Sequence, residues 1–473
     1  MTANYQDIIM NYKKITQEDI EFLKQLLGNE RVYVGESINE DFSHDELIGE
    51  KHFPEVLIEV LSTKEVSEVM KYANKNNIPV TPRGQGTGLV GSGVAIYGGI
   101  MMNLSKMNKI LELDENNLTL TVEPGVLLMD VISFLDGSGL FYSPEPGEKS
   151  ATIGGNISTN AGGMKAMKYG ATRDNILGLE IVYPDGIIDD IGGKIVKTSS
   201  GYNLMHLIIG SEGTLVVVTK AILKLLPVPK YNISLLVPFP TLDKAIEAVP
   251  LILKSKVIPT ALEFMERDVI LCAEEYIGKK LPHNTADAYL LLTFDGNTKV
   301  EIETAYEKVA HTCLDAGAID VLISNTPERN KAIWSARGTF LEAIKGSTTE
   351  MDECDVVVPR NMIAEFVHFA NSLQKKYDIR IKSFGHAGDG NLHIYLLKDQ
   401  MEESVWHKKA KAIFDELYEK SRRIGGHISG EHGIGYAKKE FLKNNIHPRN
   451  IEIFRGIKAV FDPNNILNPG KIV

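Results

Sequence analysis

The chain has 473 residues, 43% hydrophobic and 24% charged, with a formal net charge of −11. That is enough for two or three domains with large cores, and it lacks the dense basic run that tracking phosphates along a nucleic acid demands. Cys272, Cys313 and Cys354 are the only cysteines; their odd number and the absence of CxxC spacing argue against a disulfide framework or a cysteine-held cluster and fit a reducing cytoplasm.

The opening MTANYQDIIMNYKK has no basic region followed by an apolar stretch, so no secretory leader is expected. Apolar runs such as Tyr289–Phe294 are too short to span a bilayer. Residues 17–27 predict an amphipathic helix stopped by Gly28. A capping-box pattern at Ser62–Glu65 opens a second helix, with Val66, Val69, Met70 and Ala73 on one face. IPVTPRG then reads as a short strand, and residues 100–105 and 118–124 read as two more. Residues 126–137 predict a helix closed by Gly137.

Three glycine-rich loops punctuate this half: TPRGQGTGLVGSG (81–93), ATIGGNISTNAGG (151–163) and IGSEGT (209–214). The first contains GxGxxG after a strand, the pattern of a dinucleotide-binding turn. That pattern should open a helix, whereas SGVAIYGG follows, with no helical period. One loop of this kind is adequately explained as a turn. Three of them, rich in Gly, Ser, Thr and Asn, suit backbone N–H groups converging on a long phosphorylated ligand. The proline-rich joint LLPVPK (225–230) marks a boundary near Pro227–Lys230. It divides residues 1–228, with a core from about 50, from a second α+β unit at 229–473.

In the second half, HAGDGNLH (386–393) places an Asp-Gly turn between two strand-like runs. A hairpin there brings His386 and His393 together. SGEHGIG (429–435) adds Glu431 and, beside it, His432. Two histidines and a carboxylate with open positions suit Zn, Mn or Fe; spacing alone equally allows hydrogen-bonded loop histidines. Asp389 reads as a turn residue, His407 as exposed on a helix and His427 as structural. Arg337, in AIWSARGTF, is either a helix arginine in an ion pair or a bidentate grip for a carboxylate.

TPRGQGTGL, SATIGGNISTNAGG, YGATRDNILGLEIVYPDG and GSEGTL, in that order, resemble the FAD-binding domain of the vanillyl-alcohol oxidase and p-cresol methylhydroxylase flavoproteins. The similarity runs nearly the whole chain and is greatest to the branch of D-lactate dehydrogenases, D-2-hydroxyglutarate dehydrogenases and the glycolate oxidase flavoprotein. The resemblance implies a two-part FAD-binding domain followed by an α+β cap with an antiparallel sheet. It implies that Pro82, Arg83, Gly84, Gln85, Gly86, Thr87, Gly88 and Leu89 cradle the FAD pyrophosphate. Thr152, Gly155, Asn156, Ser158, Thr159, Gly162 and Gly163 would line the flavin and ribityl region. Glu212 and Gly213 would meet the adenosine end or nearby backbone, and Asn468 would return to the isoalloxazine ring. Gln85 and Val216 depart from the pattern. With no histidine between residues 81 and 93, non-covalent FAD is expected.

The same resemblance makes His386, His393 and Glu431 ligands of one divalent metal, His432 the base and Arg337 the anchor for the substrate carboxylate. The expected activity is oxidation of a small 2-hydroxy acid to the 2-oxo acid. Glu353 and Asp355, acidic where a dicarboxylate would want a cation, favour lactate or glycolate over 2-hydroxyglutarate, and the resemblance implies the D-enantiomer of lactate. The expected acceptor is an electron-transferring flavoprotein or another redox protein. An O₂-using oxidase and a catalytically silent flavin-carrying subunit are the competing readings; the intact histidine and carboxylate set argues against silence.

Overall fold

The computed structural model describes residues 11–47, 49, 51–278, 280, 285–324 and 326–473. Most of the N-terminal stretch read for a leader lies outside them. Three sheets carry the fold. In the first, Val56–Glu59, Ile100–Asn103 and Val80–Arg83 run parallel, and Val32–Val34 adds an antiparallel edge. The helix Thr63–Asn76 is the crossover that a parallel connection requires. Ser62 caps it by accepting from the Glu65 N–H, and Val66, Val69, Met70 and Ala73 are the apolar residues it buries. The helix Gln17–Leu27 matches its predicted span.

The second sheet is antiparallel around the long strand Val217–Pro227, flanked by Thr119–Val122 and Ile176–Val182. Two segments differ from the sequence reading. The predicted helix at 126–137 spans Leu128–Leu135. Ile153–Thr159, inside the second glycine-rich stretch, is a helix capped by Thr152, whose Oγ1 accepts from Gly155 N. Ile153 and Ile157, four apart, are both fully buried, and that anchors this turn despite its two glycines.

The strand Val217–Pro227 ends at the joint, and the next strand, Tyr231–Phe239, enters a seven-stranded antiparallel sheet. Its spatial order is Leu322–Ser324, Tyr231–Phe239, Ala288–Gly296, Ala261–Glu266, Arg380–His386, Asn391–Leu397 and Met351–Val357. Side chains alternate faces along a strand. One face carries Leu235, Val237, Leu262, Phe264, Leu290, Cys354, Val356, Ile394 and Leu396 into the largest core. The opposite face carries Glu263, His386, His393, Glu353 and Asp355, beside a smaller apolar patch around Met265, Phe384 and Tyr395.

The C-terminal segment then leaves this unit. Ile466 and Leu467 are fully buried in the core of the first sheet, where Leu467 bridges Val80 in parallel.

Candidate active site

The first glycine loop is built of turns from Gly84 to Gly99, with no helix after GxGxxG, so it is not a dinucleotide-binding turn of that kind. Gly86 sits at φ +78, and a Cβ there would fall 2.0 Å from Arg83 Nη2. Arg83 is 5% exposed and donates to the carbonyls of Gly93 (3.1 Å), Asp41 (2.7 Å) and His44 (2.7 Å). Its guanidinium therefore shapes the loop from behind. Loop and helix are pressed together: a Cβ on Gly84 would lie 2.3 Å from Thr152 Oγ1.

Glu212 ties the halves of the site together. Its buried carboxylate accepts from Ile434 N (2.7 Å), Gly435 N (2.7 Å) and Ser92 Oγ, while its own N–H donates to Ser158 O (2.7 Å). All three glycine-rich segments and the SGEHGIG loop thus meet at one residue.

Every proposed flavin, metal and catalytic residue except Asn468 lines one cavity of about 1400 Å³. Asn468 stands apart from that lining, and its buried Oδ1 has no hydrogen-bond partner among the described residues. Its side chain is 1% exposed and its Nδ2 donates to Ser92 O (2.9 Å) and Glu212 O (2.7 Å). It holds the loops in place and does not face the cavity. The cavity exceeds what a drug-sized ligand fills. Its glycine-lined wall and the buried Asn156 Nδ2, which has no hydrogen-bond partner among the described residues, fit a long polar ligand such as FAD.

At the other end of the cavity, the predicted hairpin forms with His386 paired to Asn391 and Phe384 to His393. The two histidines share a face, their Nε2 atoms 3.5 Å apart. Glu431 Oε1 lies 3.4 Å from His393 Nε2 and 3.9 Å from His386 Nε2. Asp389 is confined to the turn, accepting from Asn391 N (3.0 Å). His407 is exposed and pairs with Glu403, and His427 contributes backbone pairing to Val357.

Three carboxylates that the sequence reading did not count among the ligating or catalytic residues complete the cluster. Glu263 Oε1 is 2.6 Å from His386 Nδ1, and Glu353 Oε1 is 2.7 Å from His393 Nδ1. Asp355, fully buried, accepts from Ser429 Oγ (2.8 Å) and the backbone N–H groups of Gly430, Glu431 and His432. Arg337 Nε and Nη2 bind Glu263 Oε2 at 3.1 and 2.7 Å. Its Nη1 makes no hydrogen bond among the described residues. His432 Nε2 is 3.9 Å from both Glu353 Oε1 and Glu431 Oε1.

Charge sharpens this picture. Burial would raise the Glu431 carboxyl, but His386, His393 and His432 outweigh it and bring it down to about 2. Burial would lower His386, yet Glu263 and Glu431 hold it well above an ordinary imidazole. With the imidazoles neutral, as metal binding requires, the carboxylates of Glu263, Glu353, Asp355 and Glu431 face, among the described residues of the bonded cluster, the cations of Arg337 and Lys438. The remaining negative charge is the complement of one divalent cation. A tetrahedral ion with bonds of about 2.0–2.1 Å holds its ligand atoms roughly 3.4 Å apart, close to the separations here. Each ligating Nε2 is backed by an Nδ1–carboxylate hydrogen bond, the usual support of metal-bound histidine. The donor set fits a metal ion.

Residues 228–472 match the family model of FAD linked oxidases, C-terminal domain, and residues 54–192 match that of the FAD binding domain. The chain is 50% identical to a D-lactate dehydrogenase of Anaerostipes hadrus, over 98% of both chains. It is 39% identical to glycolate oxidase subunit GlcD of Bacillus subtilis (strain 168), over 97% of both. Among solved structures, p-cresol methylhydroxylase with substrate bound superposes with a TM-score of 0.82 at 18% identity, over 98% of both chains. That likeness establishes the shared fold.

Proposed function

This chain belongs to the FAD-linked oxidases and is an FAD-dependent 2-hydroxy-acid dehydrogenase; on that premise we propose that its substrate is D-lactate, oxidised to the 2-oxo acid at a metal-assisted site. The observation that carries this reading is the convergence of Arg337, the His386–His393–Glu431 donor set and His432 on the cavity that the glycine loops line. A 2-hydroxy acid presents a carboxylate and a hydroxyl on adjacent carbons, and these are the two groups such a site can hold.

FAD held non-covalently by Pro82–Leu89, Thr152–Gly163 and Glu212–Gly213 would supply the hydride acceptor, and a metal held by His386, His393 and Glu431 would supply Lewis acidity toward the substrate hydroxyl. Arg337 anchors the carboxylate through the guanidinium edge that Glu263 leaves open. His432 takes the hydroxyl proton as general base. Glu353, paired with His393, adds negative charge to the cavity lining, which favours a monocarboxylate.

The electrons pass to a protein acceptor such as an electron-transferring flavoprotein, and the enzyme works in the cytoplasm. No described helix is long and apolar enough to cross a membrane. Anaerobic titration of the yellow holoprotein tests the substrate assignment. D-lactate should bleach the flavin far faster than L-lactate, glycolate or D-2-hydroxyglutarate; slow bleaching by D-lactate would overturn it. Chelation should stop bleaching without releasing FAD, and added Zn²⁺, Mn²⁺ or Fe²⁺ should restore it. Full activity with no stoichiometric metal would remove the metal from the mechanism.

A further inference from the structure

Glu263 is fully buried and does two jobs with one carboxylate. Strand pairing of Phe264 with Gly385 and Met265 with Phe384 sets it opposite His386 on the polar face of the sheet. One oxygen lies 2.6 Å from His386 Nδ1; the other takes Arg337 Nε and Nη2 at 3.1 and 2.7 Å. Arg337 is held on its flat side as well, its guanidinium carbon 4.5 Å from the centre of the Phe384 ring.

Resting on the proposed metal and anchor roles, we infer that Glu263 is a positioning residue that fixes the spacing between the carboxylate anchor and the metal, and so selects 2-hydroxy over 3-hydroxy acids. The chemistry follows from what a carboxylate can accept. Taking the His386 Nδ1 hydrogen leaves the lone pair on Nε2, the tautomer that binds a metal. Taking two hydrogens from one edge of the guanidinium leaves Nη1, on a residue that lines the cavity, for a further acceptor. Because one rigid group serves both, neither can shift without the other. A 3-hydroxy acid, with one more carbon between its carboxylate and hydroxyl, needs a different spacing.

An amide cannot replace this carboxylate. In Glu263→Gln the carbonyl serves one partner and the NH₂ confronts the other, either a guanidinium N–H or the Nδ1 hydrogen. Glu263→Asp keeps the charge and loses the reach to both at once.

The test uses FAD- and metal-loaded holoenzyme of wild type, Glu263→Gln and Glu263→Asp. Five quantities are read: FAD stoichiometry, metal retained after dialysis against a chelator, KM and kcat for D-lactate, and kcat/KM for D-3-hydroxybutyrate. Both variants should keep FAD. KM for D-lactate should rise by roughly tenfold to a hundredfold, the loss of about one charge-assisted hydrogen bond. Metal retention should fall in parallel, and the preference for lactate over 3-hydroxybutyrate should narrow. Metal loss with KM unchanged, or a raised KM with metal and preference unchanged, overturns the coupling. Glu263→Asp carries the test if the glutamine variant fails to fold. Wild-type enzyme that holds no metal, or never bleaches with lactate, refutes the underlying site reading, and that outcome is seen before any variant is made.

Discussion

His432, proposed as the proton acceptor, lies on the cavity wall, its Nε2 3.9 Å from both Glu353 and Glu431 and its backbone N–H held by Asp355 at 3.1 Å. The Asp355 bond is to the main chain, so the imidazole can be removed without loosening the loop. His432→Asn should therefore keep FAD and metal and slow flavin reduction by roughly 10²–10⁴-fold, the range for a positioned base; anaerobic stopped-flow at saturating D-lactate measures it, and near wild-type reduction dismisses the role. Glu353 carries a second expectation. Glu353→Gln keeps an acceptor for His393 Nδ1 but removes a charge beside the cavity. Discrimination between D-lactate and D-2-hydroxyglutarate, read as the ratio of kcat/KM values, should narrow by at least about tenfold, since juxtaposed like charges cost several kcal/mol. His386, His393, Glu431 and His432 were legible in the sequence because each pair sits within one short motif. Glu263 was not: it reaches His386 across 123 residues, and its neighbours give it no motif. A weaker signal existed. In ALEFME, Glu263 stands between Leu262 and Phe264, and in MDECDVVV, Glu353 and Asp355 flank Cys354, which puts these carboxylates on the face opposite buried apolar neighbours, where only a partnered charge is tolerable.

The hairpin and the SGEHGIG loop bring His386, His393 and Glu431 together only because they pack without a side chain between them. A Cβ on Gly430 would fall 2.0 Å from Asn391 Oδ1 and 2.4 Å from its Cγ, and Asn391 is itself buried opposite His386. Gly430→Ala must displace the buried Asn391 side chain or the loop that carries Glu431, and either shift disturbs the packing that sets Glu431 beside the histidines. Metal affinity should drop more than about tenfold, a displacement worth over 1.4 kcal/mol, while the flavin spectrum persists; elemental analysis after gel filtration reads the first and absorbance the second. At this scale the sequence was informative where a local rule dominates, as in the Ser62-capped helix and the Asp-Gly hairpin. It misled at 151–163, where four glycines and a run of small polar residues read as loop. The burial of Ile153 and Ile157 against the second sheet overrides that weak propensity.

Across the whole molecule, the division at Pro227 does not divide the flavin site, because the last residues return to the first sheet. Val80 N donates to Ile466 O and Asn468 N to Val80 O, both at 2.7 Å. Lys471 Nζ donates to Val94 O at 2.7 Å from behind the first glycine loop. Burial, opposed by Glu212 and Asp45, pushes the Lys471 ammonium down to about 7. Between about pH 7 and the ordinary lysine value near 10.4, the unfolded chain then holds a proton that the folded chain has released. This group makes stability rise with pH through that window and leaves it flat below. Urea unfolding near pH 7 and near pH 9.5 should show the rise, and Lys471→Met should remove it. Deleting residues 466–473 asks more of the same arrangement. It strips two fully buried aliphatic side chains from the first core, worth roughly 1.5–3 kcal/mol each. It also unpairs Val80 and frees the loops that Asn468 Nδ2 joins through Ser92 O and Glu212 O. Glu212 in turn holds Ile434 and Gly435, so slack in the flavin loops reaches the metal loop. The truncated protein should emerge from gel filtration with little FAD and reduced metal. His386→Ala, by contrast, should lose metal alone. A truncated chain that keeps stoichiometric FAD would mean that the N-terminal loops hold their shape unaided.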